Sequence, residues 1–450
     1  MASAAEQLAA NINFSAFNKA TELKNRIWFT LGALVIYRLG TYIPIPGIDP
    51  TILTEIFSRN AGGILGMFDM FSGGALGRMT IFALNIMPYI SASNIVQLLT
   101  AVSPQLEALK KEGESGRKKL NQYTRFGTVG LAAVQAYGIA VGLEGMRAGT
   151  ASAVIDPGLF FRLVTVVTLT GGTVFLMWLG EQITARGVGN GISLIIMAGI
   201  VANLPHALAA TLELGRTGAI STVFIIIFLL MSVAVVAVIV FMERAQRRIL
   251  VQYPKRQQGN RMFGGDSSHL PLKINTSGVI PPIFASSLLL LPATIASFEE
   301  ASGSQSMGII GEITRYLAHG TPLYMLLYVS LIVFFCFFYT AIVFNPTETA
   351  DNLRKYGGFI PGIRPGKNTA DYLDYVLTRI TVIGAVYLAA VCILPEFLIS
   401  QYSVPFYFGG TSLLIVVSVT MDTVAQIHSH LLAHQYEGLI KKSRLRGRRG

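Results

Sequence analysis

The sequence has few charged residues, few cysteines and few histidines, and each shortage excludes a class of protein. Only 13% of its 450 residues are Asp, Glu, Lys or Arg, whereas a soluble domain has about 25%. With 52% hydrophobic residues and a mean hydropathy of +0.55, the chain is neither a soluble enzyme nor a disordered protein. Long apolar runs also argue against an outer-membrane barrel, whose strands alternate apolar and polar residues. The remaining class is a helical protein with several membrane spans.

The residues that usually carry chemistry are sparse as well. Cys336 and Cys392 both lie inside apolar runs, so they predict small buried side chains rather than a disulfide framework. His428, His430 and His434 follow an apolar run, but no cysteine or carboxylate completes a metal site with them. The sequence lacks HExxH, the P-loop motif, GxSxG and a GxGxxG after a strand. We therefore expect no cofactor, no bound metal and no enzymatic activity.

Ten apolar runs are long enough to cross a membrane, which takes about 20 helical residues. They are residues 27–46, 79–100, 123–143, 159–180, 191–211, 220–241, 275–297, 322–344, 376–397 and 408–429. The second and seventh runs contain prolines and several polar residues. Polar side chains at membrane depth face the bundle interior or a water-filled path, and helix packing alone is the alternative interpretation.

Lysine and arginine are divided unequally between the two sets of loops that alternate along the chain. The set that includes both chain ends carries 28 of the 35 basic residues, and the other set carries 7. Because short basic loops stay on the cytoplasmic side, both termini are predicted to be cytoplasmic. The net charge of +11 then divides into +14 inside and −3 outside.

One apolar segment, residues 62–78, is too short to span and contains six glycines and one acid, Asp69. A backbone broken in this way cannot face lipid, because its polar groups would be unsatisfied. We expect a re-entrant piece that acts as a stopper or filter; an external loop with a short packed helix is the alternative.

The loops at 242–274 and 345–375 are basic and about 30 residues long, more than membrane topology requires. Long basic loops can bind anionic lipid, nucleic acid or an acidic protein face. We expect these two loops to dock a cytosolic partner.

Several long motifs resemble those of the SecY family, the central subunits of the bacterial protein-conducting channel. The similarity extends over nearly the whole chain and includes IPIPGID at 43–49, MFSGGALGRMTIFALNIMPYISAS at 70–93, KKEGESGRKKLNQYTR at 110–125, FLMWLGEQITARGVGNGISLII at 175–196, HLPLKINTSGVIPPIFASS at 269–287, FFCFFYTAIVFNPTETADNLRK at 334–355, GFIPGIRPG at 358–366 and VPFYFGGTSLLIVV at 404–417.

The resemblance implies an all-α polytopic membrane protein, with ten transmembrane helices in two inverted five-helix halves around a central pore. The predicted parts are a cytoplasmic amphipathic N-terminus at 1–26, one half at 27–211, a second half at 212–429 and a basic cytoplasmic tail at 430–450. The glycine-rich segment 62–78 then becomes a re-entrant plug helix. Its predicted plug residues are Gly63, Ile64, Leu65, Met67, Phe68, Asp69, Met70, Phe71, Ser72, Gly73 and Gly74.

The family also has a pore constriction made of apolar side chains, most of them isoleucine. The matching residues in this chain are Ile86, Ile90, Ile192, Ile196, Ile283 and Ile415. The first two pairs each have i,i+4 spacing and so share a helix face. A narrow apolar ring resists wetting and ion passage, yet it makes no directional bonds to a passing polypeptide.

A lateral gate between spans two and three and spans seven and eight is a further implication of the resemblance. We expect Ser91, Asn94, Gln97, Thr276, Ser277, Pro281 and Ser286 to lie there. Asn94 and the second proline, Pro282, depart from the family pattern we expect, which leaves the gating energetics open. The gate would release signal sequences and apolar segments into lipid.

The two long loops resemble those that dock the SecA motor ATPase and the ribosome. The predicted docking residues are Arg247, Arg248, Lys255, Arg256, Arg354, Lys355, Arg364 and Lys367. Arg364 is the foremost of these, because Pro361 and Pro365 restrict the turn that presents it.

The predicted function is a passive channel for unfolded polypeptide in the bacterial plasma (inner) membrane. SecE and SecG would be membrane partners, SecA or the ribosome would supply energy, and anionic lipids would contact the basic loops. A secondary transporter would also have inverted halves, but it needs paired ionisable groups at mid-membrane, where Asp422 is the one candidate. An intramembrane enzyme would need a catalytic pair on facing spans, and the sequence offers none.

Overall fold

The structure is a computed structural model of the chain. It describes residues 21–53, 69, 72–145, 147–148, 151–217, 221–254, 256–258, 261–263, 267–286, 288–289, 321–402 and 410–446. Eleven helices in this part of the chain have defined bounds: α1 (Thr21–Gly40), α2 (Met87–Val102), α3 (Pro104–Lys111), α4 (Glu114–Gly145), α5 (Leu159–Arg186), α6 (Gly191–Arg216), α7 (Thr222–Arg244), α8 (Pro322–Val343), α9 (Pro346–Lys355), α10 (Lys367–Tyr402) and α11 (Gly410–Arg446).

Seven of these helices, α4 to α8 with α10 and α11, are long and apolar enough to cross a membrane. Three of these helices, and the short helix α9, start at a polar side chain that accepts hydrogen bonds from the first free amides. Asn190, Ser221, Thr321 and Asn345 do this for α6, α7, α8 and α9.

The first two predicted spans have the wrong boundaries. Helix α1 is described over Thr21–Gly40, so it extends further toward the N-terminus than the predicted run 27–46 and ends six residues earlier. Residues 79–86, predicted as helix, form turns, with positive φ angles of 45° at Met79 and 49° at Asn85. Backbone hydrogen bonds between residues 79–81 and 43–45 take the place of helical bonds. This part of the chain is therefore an irregular entry that leads into the short helix α2.

Ion pairs at both ends of α4 and α5 show that these two helices run antiparallel. The guanidinium of Arg125 lies 2.8 Å from Glu181 near one end, and that of Arg162 lies 2.6 Å from Glu144 near the other. In each pair, two nitrogens of the guanidinium group donate hydrogen bonds to the carboxylate. Two such bonds restrict the relative orientation of the helices more than one bond would.

Three antiparallel strand pairs interrupt the helices. Strands β1 (Arg147–Ala148) and β2 (Ala151–Ser152) pair at one end of the bundle. At the other end, β3 (Gln246–Gln252) pairs with β6 (Ser267–Lys273) over seven residues, and β4 (Arg256–Gln258) pairs with β5 (Arg261–Phe263). The basic loop at 242–274 is therefore a long β-hairpin, which the sequence analysis did not predict. We call the end with this hairpin the hairpin end and the other the opposite end.

Buried side chains form three main apolar clusters. One lies within α7, α8, α10 and α11, and one joins α4 and α5 to residues 45–53 and 76–84. The third joins α1, α5 and α6 to α11 across the seam between the two predicted halves. This third cluster is the one that contains the candidate site.

Candidate pore, plug and gate

All six isoleucines predicted for the pore ring belong to the cluster on the seam. Ile86, Ile196 and Ile415 are buried, while Ile90, Ile192 and Ile283 are partly buried and pack against them. They come from four parts of the chain, the start of α2, α6, the helical turn at 280–286 and α11. Side chains far apart in sequence therefore converge on one point.

A small cavity lies at this point, with a volume of about 20 Å³. Five of the six isoleucines line it, with four further residues: the lining is Asn85, Ile86, Met87, Ile90, Ile196, Ile283, Ser286, Thr411 and Ile415. Ile192 does not line the cavity. Its side chain lies against α5, where a Cβ atom added at Gly180 would be 3.0 Å from the Ile192 Cγ1 atom. A cavity of this size has room for about one water molecule.

Two polar residues of the cavity lining, Asn85 and Thr411, were not predicted from the sequence. Asn85 is 3% exposed and Thr411 is 6% exposed. Both precede predicted ring isoleucines, by one residue at Ile86 and by four at Ile415. That proximity is the signal that could have pointed to them.

Four of the predicted plug residues, Asp69, Ser72, Gly73 and Gly74, lie in the described part of the chain. An Asp69 carboxylate oxygen accepts a hydrogen bond from the amide of Gly77 at 2.5 Å, and its carbonyl accepts one from Gly74 at 2.8 Å. The positive φ angles of Gly73 and Gly74, 69° and 82°, suit glycine. The other predicted plug residues lie outside the described residues; they are Gly63, Ile64, Leu65, Met67, Phe68, Met70 and Phe71.

Two arginines hold this glycine turn from α1 and from its own C-terminal side. Arg38 donates to the carbonyl oxygen of Gly73 at 2.7 Å, and Arg78 donates to the same oxygen at 3.2 Å. Both guanidinium groups also lie over the ring of Tyr42, at 5.1 Å and 4.2 Å from its centroid. We call Arg38, Tyr42 and Arg78 the arginine clamp.

The predicted gate residues of α2 share one side of that helix. Ser91, Asn94 and Gln97 are spaced three residues apart and are all half-buried. Gln97 donates to the hydroxyl of Ser93 at 3.4 Å, one turn earlier. These polar groups therefore face a partly covered surface rather than open lipid.

The predicted gate residues between 276 and 286 lie in two different surroundings. Ser286 lines the cavity together with Ile90 of α2, and its hydroxyl donates to the carbonyl of Ile283 at 2.9 Å. Pro281 is buried. Thr276 and Ser277 lie nearer the hairpin end, where Thr276 bonds to Lys273 and Ser277 bonds to Asn275. We call residues 279–286, which reach the cavity, the gate segment.

The two basic loops form one folded unit rather than two separate loops. Gln252 of β3 and Phe359 exchange two backbone hydrogen bonds of 2.9 Å. Beneath them Ile249, Leu272, Ile360 and Leu373 form a small buried cluster with Ile380 of α10. We call the unit of β3, β6 and residues 356–366 the loop platform.

The predicted docking residues on the loop platform and its flanks point outward. Exposed side chains are found at Arg247, Arg248, Arg354, Lys355, Arg364 and Lys367. Arg256 lies in β4, and Lys255 lies outside the described residues. The turn that carries Arg364 has positive φ angles at Gly362 and Gly366, and the carbonyl of Arg364 accepts a bond from Thr369. This turn holds the arginine at a fixed exposed position.

The first basic loop contributes a third charged element at the hairpin end. Lys111 of α3 lies 2.8 Å from Glu107. The hydrogen bond and the charge of Glu107 raise the pKa of Lys111, and the charge of Glu348 on α9 adds to that effect. Charges of α3 and α9 therefore act on each other at this end of the molecule.

The fold and the site define a class, a helical membrane protein with many spans and an apolar constriction at its centre. Within the described residues no group of three potential metal ligands comes together. The SecY family model matches residues 80–424. The chain belongs to the SecY family.

Curated relatives agree over almost the full length. The protein translocase subunit SecY of Rickettsia conorii is 56% identical over 434 residues, which cover 96% of this chain and 99% of the relative. The Escherichia coli K12 subunit is 56% identical over 95% of this chain and 96% of the relative. The Vibrio cholerae subunit is 54% identical over 96% of this chain and 97% of the relative. The chain is a translocase subunit, a protein-conducting channel and not an enzyme.

Solved structures share the fold at low sequence identity. A structure described as a protein conducting channel has a TM-score of 0.65 at 17% identity, and the match covers 90% of this chain and 92% of that one. A structure of Sec61 in a canine ribosome-channel complex has a TM-score of 0.63 with the same coverage. The predicted all-α, multi-span fold class is confirmed.

Proposed function

We propose that the isoleucine cluster on the seam is the seal of the resting channel. The observation that carries the proposal is the cavity of about 20 Å³ that five predicted ring isoleucines line from four chain segments. A continuous column of water is unfavourable in an apolar constriction of this size, and ions cannot cross without such a column. An extended polypeptide can part the same side chains, because branched alkyl groups offer no directional bonds.

The glycine turn above the seal is the proposed base of a plug that covers the pore at the opposite end. Its hydrogen bonds to Arg38 and Arg78 support this assignment, because Arg38 attaches the turn to α1 and Arg78 braces it from the following residues. Residues 62–78 as a whole are the proposed plug.

The lateral gate is proposed to open between α2 and the gate segment. Both border the cavity, through Ile86 and Ile90 on one side and Ile283 and Ser286 on the other. Apolar contacts separate at lower energy than buried polar bonds, so this border suits an opening through which a signal sequence or apolar segment enters lipid. The moving bodies are the proposed halves, 27–211 and 212–429.

The loop platform is the proposed docking surface for a cytosolic driver, SecA or the ribosome, with SecE and SecG as membrane partners. Exposed Arg354, Lys355, Arg364 and Lys367 give it a positive charge that suits an acidic protein surface or ribosomal RNA. Anionic lipid headgroups suit the lysines of α3. The proposed location is the bacterial inner membrane with both termini in the cytoplasm, as the distribution of basic residues favours.

The seal is tested by making the constriction polar. In planar bilayers, Ile86→Ser and Ile196→Ser together should give the resting channel a measurable ion conductance. Hydroxyl groups hold water in the constriction and lower the barrier to ions. Ile227→Ser on the exposed face of α7 is the matched control and should stay silent. A resting current equal to that of the unsubstituted channel would remove these positions from the seal.

A further inference from the structure

A chain of polar contacts ties residues 274–278, just before the gate segment, to two neighbouring helices. The side-chain amide of Asn275 donates to Glu243 of α7 at 2.6 Å and to the carbonyl of Gly278 at 3.1 Å. Its oxygen accepts from Ser277 at 3.1 Å, and the Ser277 hydroxyl lies 3.8 Å from the sulfur of Cys336 on α8. Asn275 thus binds α7 directly and reaches α8 through Ser277, immediately before the gate segment.

Asn275, Ser277 and Cys336 are buried and Glu243 is half-buried, so water has limited access to these contacts. Asn275 and Ser277 are each 4% exposed, and Cys336 is 1% exposed. Helix α10 packs closely against the backbone at residue 274. A Cβ atom added at Gly384 of α10 would lie 2.9 Å from the carbonyl oxygen of Ile274, so only glycine allows this approach. A hydrogen bond from a neutral amide to a carboxylate is stronger than a hydrogen bond between two neutral groups.

The surroundings change between Asn275 and the gate segment that follows it. At Asn275 the contacts described above are polar and go to α7 and α8, which belong to the second half. At Ile283 and Ser286 the segment borders a cavity whose opposite wall is Ile86 and Ile90 of α2. The chain is therefore fixed by hydrogen bonds at residues 275–278, just before the gate segment, and the gate segment itself meets α2 of the first half through a mostly apolar surface.

We propose that Asn275 is a positioning residue that fixes the gate segment to α7 and α8. Opening then separates the gate segment from α2, and does not separate it from its own half. The proposal rests on the proposed lateral gate, since it decides which surface of that gate parts. Glu243 acts as the acceptor that holds the Asn275 amide in place.

Hydrogen exchange of the reconstituted full-length channel tests the anchor. Asn275→Ala should speed exchange of backbone amides between 276 and 286 by about tenfold, the factor that one lost hydrogen bond to a charged group gives. Amides of α2 should exchange at the original rate. Thr276→Ala is the matched control, because its hydroxyl bonds locally to Lys273, and it should leave the exchange unchanged.

A second pair of variants separates the anchor from a general loss of stability. Glu243→Gln keeps an oxygen acceptor for Asn275 and should retain protection, whereas Glu243→Ala should lose it as Asn275→Ala does. If both Glu243 variants behave alike, or if Asn275→Ala speeds exchange equally in α2, the anchor is wrong. The Glu243 pair also provides the test should Asn275→Ala fail to fold.

Cross-linking then links the anchor to gating. Cysteines at positions 90 and 286, joined by a short bis-maleimide, report contact between α2 and the gate segment, since both positions line one cavity. Asn275→Ala should lower the cross-linking rate several-fold. Faster hydrogen exchange with an unchanged cross-linking rate would overturn the positioning role of Asn275.

The lateral gate itself is tested separately. Absence of signal-sequence contacts at positions 90 and 286 in the unsubstituted channel would overturn the gate, while the hydrogen-exchange result would still decide whether Asn275 is an anchor.

Discussion

At the glycine turn, a single carbonyl oxygen accepts hydrogen bonds from two guanidinium groups. Gly73 can expose that oxygen because its φ of 69° turns the backbone toward Arg38 and Arg78. Two like charges stay close because the face of Tyr42 attracts both of them. The arginine clamp is thus a local feature with one function, to hold the proposed plug base against α1.

Loss of Arg38 should loosen this turn. Arg38→Ala removes the shorter of the two bonds to Gly73, a charge-assisted hydrogen bond worth about 1.5–3 kcal/mol at full burial and less at this half-buried site. We expect amides between 74 and 80 to exchange hydrogen several times faster. Arg216→Ala is the control, since Arg216 is exposed and pairs with Glu213 in the same helix turn. Unchanged exchange in Arg38→Ala would show that Arg78 alone holds the turn.

Single residues were predictable from sequence where a local pattern or a family motif marked them. The i,i+4 isoleucine pairs and the glycine run are of this kind, although the ring and plug roles themselves stay predictions. The arginine clamp was not predictable, because Arg38 and Gly73 are 35 residues apart and nothing local joins them. Asn275 was noticed as a polar residue in a span, but its partner Glu243 lies 32 residues earlier.

Among the elements, the loop platform differs most from what the sequence indicated. Its strands carry Arg247, Arg248 and His269 beside a few apolar residues, a composition that looks like an irregular charged loop. Regular pairing arises because alternate residues such as Ile249, Val251 and Leu272 are buried against Ile360 and Leu373. Arg364 therefore stands on a packed support.

Reversal of the charge at Arg364 should impair driven transport and leave the fold intact. Arg364→Glu places a carboxylate where we propose that an acidic protein surface or phosphate docks, so attraction becomes repulsion. Transport of a secreted protein into vesicles, driven by added SecA, should fall several-fold, because reversal of an exposed charge slows association with a partner of opposite charge.

Two controls accompany this prediction. Arg216→Glu makes the same charge change at another exposed arginine, which we predict lies on the outer side, and should transport normally. Arg364→Lys keeps the charge but loses the planar guanidinium, and should give an intermediate rate. Normal transport by Arg364→Glu would remove this residue from the docking surface.

At the scale of the whole molecule, two of the buried clusters lie one in each predicted half, and the third lies on the seam between them. Near the hairpin end, the turn between α5 and α6 crosses that seam: Gly189 donates its amide to Gln426 of α11 at 2.9 Å. The neighbouring amide of Val188 donates to Thr30 of α1 at 3.0 Å, and Val188 packs with Leu23 and Ile427. This junction holds three helices together at a different place from the proposed gate.

Weakening of the junction should favour the open channel. Gln426→Ala removes a hydrogen bond worth about 1 kcal/mol, so we expect the open fraction in planar bilayers to rise about fivefold. Gln426→Glu keeps an oxygen acceptor and should stay near the original value. Equal open fractions in Gln426→Ala and the unsubstituted channel would show that the junction does not oppose opening.

The all-α, multi-span fold class was predictable because hydropathy, length and basic loops are all local properties of the sequence. Boundaries failed at 79–86, where bonds to residues 43–45 replace helical bonds, and at α1. Those contacts are tertiary, and a hydropathy pattern does not contain them. The same reason explains why Asn85 and Thr411 of the cavity were missed: their burial depends on residues from other helices.

The small volume of the cavity has a consequence for the energy supply of the cell. Protons cross membranes along files of hydrogen-bonded water, and a space of about 20 Å³ holds about one molecule. One isolated water, bordered by isoleucine side chains, has no second water to which it can pass a proton. If this cluster is the seal proposed above, it would thus interrupt a proton wire, and an idle translocase would not short-circuit the proton gradient of its membrane.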